Sequence, residues 1–155
     1  METYQSDIPA PRPTLRLTLR KEERLRLRTL VDSLFKEGKT IYEFPLRLTW
    51  RAVTQEDLDR MFSHGIPAGI GEIQMMITVP RKKRRRAVDR VLIRRRVREA
   101  YRLSRLPLKE EIAALGDVRS LQLAFVYLGE DNAPYAEIEA KMRRLLAKLA
   151  KKLQK

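Results

Sequence analysis

The chain has 155 residues, of which 43 % are hydrophobic and 35 % charged, with a formal net charge of +14 and no cysteine. This length is typical of one domain, and the charged fraction is well above the roughly 25 % of average proteins. Apolar residues recur with helix and strand periods, which argues against disorder; no apolar run approaches the roughly 18 residues of a membrane span, and a disulfide scaffold is excluded.

The N-terminal part predicts an unstructured lead-in followed by a helix. Residues 1–14 are proline-rich and carry no apolar core of signal-peptide type, so we expect them to be disordered and residues 15–155 to form a single domain. A helix is expected over roughly residues 20–37, because apolar residues recur at helical spacing up to Phe35 and Gly38 supplies a stop.

Two stretches then alternate between apolar and polar residues, as half-buried strands do. The first runs from Phe44 to Trp50, and the second covers residues 73–79 and ends at Pro80. Residues 52–72 between them contain three glycines and Pro67 and show little periodicity, which predicts a loop with one helical turn near Glu56.

The C-terminal half predicts two helices, a strand and a final helix. Helical periodicity covers residues 88–105, a short helix is expected over 107–115, and the last helix begins at Pro134. Residues 121–128 are apolar on both faces apart from Gln122, which favours a central, covered strand. The predicted fold class is therefore α/β of the α+β two-layer type, with amphipathic helices packed on a sheet of three or four strands.

The positive charge is concentrated in one segment. Residues 81–105 contain 13 Lys or Arg and only 2 Asp or Glu, whereas the rest of the chain is nearly balanced. On a helix, six of these arginines fall within an arc of about 140°, and Ile93, Val97 and Ala100 lie opposite; Arg96 is the exception and must reach the edge of the apolar arc. The six are Arg90, Arg94, Arg95, Arg98, Arg102 and Arg105. Guanidinium groups bind phosphate bidentately and stack on bases, so this face predicts a partner rich in phosphate.

Other interpretations of this segment are weaker. If this segment were simply a solvated charged face, its positive charges would repel one another strongly, because Asp89 and Glu99 are the only acidic residues among them. A nuclear import signal is a common consequence of such runs, but this run is fused to a helix. Membrane binding requires an apolar face free to insert, whereas here that face is needed for the core, so no membrane partner is expected.

The ordered set of motifs resembles the protein subunit of bacterial ribonuclease P. The similarity lies in Thr78–Lys83, in Ala87–Arg90, in Arg94-Arg95 and in Val97–Arg102, and the helix ending in Phe35-Lys36-Glu37-Gly38 matches the family's Phe-Lys-x-Gly element. Val91 and Leu92 stand where the family signature has Asn and Arg. The resemblance covers roughly residues 15–153.

The resemblance implies a fold and a function. The fold would be ribosomal-protein-like, with a left-handed strand–helix–strand crossover, in a single RNA-binding domain. The protein would bind the catalytic RNA of ribonuclease P as a monomer in a 1:1 complex. It would also bind the 5′ leader of precursor tRNA in a cleft between the sheet and the first helix. Mg²⁺ would be bound mainly by the RNA, which performs the cleavage, and the protein would act in the cytoplasm, in agreement with the absence of cysteine.

The resemblance and the basic pattern together give the candidate site residues. RNA contacts are expected from ten bases in the loop and the helix. These are Lys82, Lys83, Arg84, Arg85, Arg86, Arg90, Arg94, Arg95, Arg98 and Arg102. The leader cleft would contain Val31, Phe35 and Phe44.

Four aromatic residues have competing interpretations. Phe35 lies in a helical apolar stripe, where core packing competes with a role in the cleft. Phe44 and Trp50 share one face of the predicted strand, so we expect core positions for both, with leader contact as the lesser alternative for each. Tyr101 lies near the edge of the arginine arc, where stacking on RNA and packing are equally compatible with the pattern.

The sequence offers no protein-borne catalytic constellation. His64 is the single histidine and lies in a glycine-rich loop, and Glu56, Asp57 and Asp59 fit a solvated helix start better than a metal site. The leading hypothesis is an RNA-binding accessory subunit of an endoribonuclease. The alternatives are a structural RNA-binding protein of ribosomal type and a DNA-associated architectural protein.

Overall fold

The computed structural model describes residues 19–154, so the predicted lead-in at residues 1–14 lies outside the described part. No helix within residues 19–154 is long and apolar enough to cross a membrane. The helices are α1 (Arg28–Glu37), α2 (Gln55–Met61), α3 (Ala87–Ser104), α4 (Leu106–Leu115) and α5 (Tyr135–Leu153), and the strands are β1 (Lys39–Glu43), β2 (Leu46–Val53), β3 (Ile73–Thr78) and β4 (Ser120–Tyr127). These elements confirm the α+β class and the upper limit of four strands.

The four strands form one mixed sheet in the order β1-β2-β4-β3. β2 is antiparallel to both β1 and β4, whereas β3 is parallel to β4, so α3 and α4 lie in the crossover between two parallel strands. All eight residues of β4 are buried, which confirms its predicted central position. The left-handedness of the crossover stays a prediction.

The main core lies on the face of the sheet that α3, α4 and α5 cover, here called the back face. The buried stripe of α5 and the apolar side of α3 meet the alternate residues Leu46, Leu48 and Trp50 of β2. Trp50 is only 6 % exposed, so its predicted core position is confirmed. These contacts place α3 and α5 side by side against the sheet.

A smaller core lies on the opposite, front face. Leu30 and Leu34 of α1 pack there with Val53 and Ala124 of the sheet, and Leu58 of α2 joins them. Helices therefore cover both faces of the sheet, which adds a partial third layer to the predicted sandwich.

The loop expected over residues 52–72 contains α2, a full helix of seven residues. Thr54 caps it, because its hydroxyl accepts the Asp57 N–H at 3.2 Å while the Asp57 carboxylate accepts the Thr54 N–H at 3.0 Å. This box confirms that the acidic residues mark a helix start. The helical turn predicted near Glu56 is therefore confirmed, but its length was underestimated because its single buried residue, Leu58, leaves almost no periodicity to detect.

The first helix is shorter than predicted at its N-terminal end. Residues Lys21–Glu23 form a 3-10 turn and the chain then runs extended beside β3, where the Leu25 N–H donates to the Met75 carbonyl at 2.9 Å. A backbone bonded to a sheet edge cannot be helical, so α1 begins only at Arg28. We call residues 19–25 the N-terminal strap.

The predicted first strand is also displaced. β2 begins at Leu46, and β1 was missed because Ile41 is its one buried residue. Phe44 falls in the turn between the two strands and is 65 % exposed, so the prediction of a core position for Phe44 is wrong.

Candidate RNA-binding surface

The exposed side of α3 carries the central part of the predicted arginine face. Ile93, Val97 and Ala100 are buried against the core. Arg95 and Arg98 are exposed and Arg94 is half-buried, which leaves their guanidinium groups at the solvent boundary. The helix is therefore oriented as its amphipathic pattern predicts, and its apolar side is buried in the core.

Arg96, the one arginine predicted to lie within the apolar arc of α3, reaches the edge of that arc as expected. Arg96 is half-buried and reaches the edge of the helix, where its Nη1 donates to the Ala133 carbonyl at 2.6 Å. This hydrogen bond connects α3 to the segment just before α5, and it separates Arg96 from the arginines that face solvent.

The loop before α3 presents a second group of exposed bases. The N–H groups of Lys83 and Arg84 both donate to the Pro80 carbonyl at 3.1 Å, so the chain turns tightly after β3. Lys82, Lys83, Arg85 and Arg86 are exposed around this turn. The turn thus concentrates positive charge at the N-terminal end of α3, which itself favours phosphate.

Two of the predicted RNA-binding arginines also form hydrogen bonds within the protein. Arg84 donates to Asn132 Oδ1 at 2.6 Å and lies 3.3 Å from Asp89, while Arg90 donates to the Arg85 carbonyl at 2.7 Å. The hydrogen bond from Asn132 lowers the pKa of the Asp89 carboxyl, and the charge of Arg84 contributes. These contacts hold the basic loop in place, and RNA binding by Arg84 and Arg90 stays a prediction.

The C-terminal end of the arginine face differs from the prediction. Arg102 donates a hydrogen bond from its Nε to Glu99 Oε1 at 3.1 Å. This hydrogen bond raises the pKa of Arg102. Arg105, predicted to face outward, is only 1 % exposed, because its Nε lies 2.8 Å from the carboxylate of Glu23 in the N-terminal strap. The outward-facing prediction for Arg105 is therefore wrong.

Tyr101 is fully buried, with its ring centroid 5.6 Å from that of Phe125. Burial raises the pKa of its hydroxyl. Of the two interpretations given to Tyr101, the structure therefore supports packing rather than stacking on RNA.

A second surface lies on the front face, along one flank of α1. The helix crosses the sheet from β3, where Leu25 is bonded, to β1, which follows Gly38. One flank contacts Arg51, whose Nη2 lies 3.3 Å from Glu37. Val31 and Phe35 occupy the other flank, so they face the opposite end of the sheet.

That end of the sheet carries one row of front-facing side chains. Tyr42 pairs in register with Arg47, Arg47 with Val126, and Thr78 with Val126. Phe35 is 47 % exposed and Tyr42 is 61 % exposed, so two aromatic rings are open to solvent here. We call the surface formed by Val31, Phe35, Tyr42, Arg47 and Thr78 the front cleft.

Arg47 and Tyr42 were missed in the site predicted from sequence. Arg47 is half-buried, and its Nε has no hydrogen-bond partner within the part of the chain that the structure describes. The sequence feature that could have identified Arg47 is the alternation of β2. Leu46 and Leu48 point to the back face, so Arg47 between them points to the front face. Phe44, by contrast, lies at the end of the sheet, where it lines a cavity of about 570 Å³ together with Lys83 and Tyr127.

The described residues do not form a protein metal site. Among residues 19–154, no group of three or more His, Cys, Asp or Glu side chains could hold a metal ion. His64 is exposed in the loop after α2.

Comparison with known proteins agrees with this arrangement. The family model described as Ribonuclease P matches residues 19–150. A curated relative, the ribonuclease P protein component of Porphyromonas gingivalis, is 30 % identical over 132 residues, which cover 85 % of this chain and 86 % of the relative.

Two solved structures share the fold. The RNase P protein of Thermotoga maritima matches with a TM-score of 0.54 at 23 % identity, over 81 % of this chain and 96 % of that chain. A structure of the Staphylococcus aureus RNase P protein matches with a TM-score of 0.53 at 14 % identity, over 83 % and 95 %. This chain therefore belongs to the ribonuclease P protein family, and it is an RNA-binding accessory subunit of the endoribonuclease that acts in tRNA 5′ processing.

Proposed function

We propose that this protein binds the catalytic RNA of ribonuclease P through α3 and the preceding loop, and the 5′ leader of precursor tRNA through the front cleft. The protein acts as a monomer with one RNA, in the cytoplasm, and residues 15–155 form its single RNA-binding domain. Mg²⁺ is held mainly by the RNA and supplies the chemistry of hydrolysis. The protein's own residues orient the two RNAs.

The observation that carries the first contact is the exposed face of α3. Arg94, Arg95 and Arg98 lie beside one another at the solvent boundary, and Lys82 and Arg86 continue the positive charge at the helix start. Each neutralised phosphate releases counterions, so such a surface gains affinity from the dense charge of folded RNA. Glu99, the acid on this helix nearest to that face, is already paired with Arg102.

The leader contact is supported by the chemistry of the front cleft. Exposed aromatic rings bind unpaired bases by stacking, which contributes about 1–3 kcal/mol per base, and Phe35 and Tyr42 provide two such rings. Arg47 of β2 pairs in register with Tyr42, and its guanidinium can bind the phosphate backbone. A leader is the single-stranded part of the substrate, whereas a ribosomal-type protein would need no such groove.

A reconstitution assay tests the proposal. The protein is mixed with a bacterial ribonuclease P RNA and a 5′-labelled precursor tRNA at low Mg²⁺, and release of the leader is followed. We expect faster accurate cleavage with the protein and no cleavage with the protein alone. A folded, RNA-binding protein that leaves cleavage by its cognate RNA unchanged would instead support the ribosomal-type alternative.

The role of α3 is tested with the triple variant Arg94→Ala, Arg95→Ala and Arg98→Ala. We expect its affinity for the catalytic RNA to fall by about 100-fold at moderate salt, and the slope of log affinity against log salt to decrease by roughly 2 to 3.

The matched control removes three exposed bases elsewhere, Lys21→Ala, Arg60→Ala and Lys109→Ala, which gives the same net charge. Equal losses in the control and the α3 variant, with both folded by circular dichroism, would show that total charge rather than this face binds the RNA.

A further inference from the structure

A second basic surface lies on α5, outside the surfaces described above. This helix contains six Lys or Arg and two Asp or Glu. Five of the bases fall within an arc of about 100° on one side of the helix, next to its buried stripe. We call these five residues the α5 stripe: Lys141, Arg144, Lys148, Lys151 and Lys152.

The α5 stripe runs along the β1 edge of the sheet. Lys148 pairs with Glu43 at the end of β1, and Arg144 Nη1 lies 3.9 Å from the same carboxylate. Further along, Lys152 lines a cavity together with Lys39, the first residue of β1. The α3 face lies toward β3, at the other edge of this sheet, so the two basic surfaces are separated by the width of four strands.

The acid within the α5 stripe does not neutralise it. Glu43 lies beside three bases, and the hydrogen bond from Lys148 lowers its pKa, with further contributions from the charges of Lys141 and Arg144. Arg144 and Lys148 keep 64 % and 49 % of their side chains exposed. Glu43 therefore anchors two side chains while the stripe retains an excess of positive charge.

The front cleft and the α5 stripe meet at the β1 edge. Tyr42 and Glu43 are consecutive strand residues, so their side chains point to opposite faces of the sheet. Tyr42 is the outermost residue of the front cleft, and Glu43 is the residue that Lys148 contacts behind it. A single-stranded RNA that leaves the front cleft past Tyr42 therefore reaches the α5 stripe after passing around β1, the edge strand of the sheet.

We propose that the part of the leader beyond the front cleft passes over the β1 edge and is bound through its phosphates by the α5 stripe. The inference rests on the proposed function, and it adds a second binding segment that acts only on long leaders. The partner is single-stranded RNA because the stripe continues a surface of exposed aromatic rings, and four of its five bases are lysines, whose ammonium groups bind phosphates as point charges.

The test compares two precursor tRNAs, one with a leader of about 4 nucleotides and one with a leader of about 15, which span the site sizes of single-strand grooves. Binding to the reconstituted holoenzyme is measured for the wild-type protein and for the variant Lys141→Ala, Arg144→Ala and Lys148→Ala. We expect the variant to lose about tenfold more affinity for the long leader than for the short one, with a salt slope lower by roughly 2 for the long leader alone.

Two controls accompany this variant. The charge-matched variant Lys21→Ala, Arg60→Ala and Lys109→Ala should not distinguish the two leader lengths. Glu43→Gln keeps the bases and removes the acid, so it should raise affinity for the long leader by about twofold; it also shows whether loss of the pairs to Glu43 disturbs folding.

The outcomes separate this inference from the proposed function. Equal losses for both leaders, or no loss, would overturn the α5 assignment while cleavage assisted by the wild-type protein stands. If the α5 variant binds the catalytic RNA more weakly in the absence of precursor tRNA, the stripe contacts the catalytic RNA. That result would also overturn the assignment of the stripe to the leader. If the wild-type protein assists cleavage of neither substrate, both the proposed function and this inference fail.

Discussion

The ion pair between Glu23 and Arg105 joins the N-terminal strap to the end of α3. Arg105 is 1 % exposed and the Glu23 side chain is 13 % exposed, and Arg105 also donates to the Arg102 carbonyl at 2.6 Å. Removing one partner of a buried pair costs about 3–5 kcal/mol because a charge stays in the protein interior without its counter-charge. Glu23 retains some solvent contact, so we expect Glu23→Ala to lower the free energy of unfolding by about 3 kcal/mol.

Urea unfolding followed by circular dichroism measures this effect. With a slope of about 2 kcal/mol/M, a loss of 3 kcal/mol moves the midpoint by about 1.5 M. A domain of this size has roughly 5–15 kcal/mol of stability, so the variant should remain folded in water.

The double variant Glu23→Ala with Arg105→Met separates the pair from the packing of each side chain. It should lose at least 1 kcal/mol less than the sum of the two single variants, since the apolar Met leaves no buried charge. A Glu23→Ala loss below about 0.5 kcal/mol, or additivity in this cycle, would refute the reasoning.

Three further predictions concern the front face. Phe35→Ala should weaken binding of leader-bearing substrate about tenfold with little effect on mature tRNA, because the ring is half exposed rather than in the core; equal losses for both RNAs in a binding assay would contradict its place in the cleft. Gly38→Ala should destabilise the fold by at least about 1 kcal/mol in urea unfolding, because the added Cβ would lie 2.3 Å from the Leu34 carbonyl oxygen; an unchanged midpoint would show that this helix end can shift. Asp57→Asn should cost about 1 kcal/mol at pH 7, because the Thr54 N–H and other partners lower the pKa of this carboxylate. A depressed pKa gives stability that is present above the unfolded value of about 3.9 and lost as pH falls through the folded pKa, so the stabilities of wild type and variant should converge once the pH is below the folded pKa.

The sequence was sufficient for features that depend on local pattern. The apolar spacing of Ile93, Val97 and Ala100 predicted which side of α3 enters the core, and the same spacing placed Arg95 and Arg98 outside. The apolar run of residues 121–128, in which Gln122 is the one polar residue, predicted a strand covered on both faces. These predictions succeeded because periodicity along one element reports directly on which of its faces is buried.

Predictions failed where a residue's environment depends on a distant segment. Arg105 has the same helical phase as the exposed arginines, but its partner Glu23 lies 82 positions away in the sequence. Phe44 fits the alternation of β2, but the turn before Leu46 carries it out of the strand and into solvent.

Charge density, amphipathic phase and the order of motifs are properties of the sequence by itself, and they determined the fold class, the basic face of α3 and the family. Tertiary structure alone decided which bases form hydrogen bonds inside the protein, because Arg84 and Arg90 donate to neighbouring groups while Arg95 and Arg98 are exposed. It also created the front cleft, since Phe35 and Arg47 share a surface only when α1 crosses the sheet. Such surfaces arise from long-range packing, in which the location of each side chain depends on elements far away in the sequence.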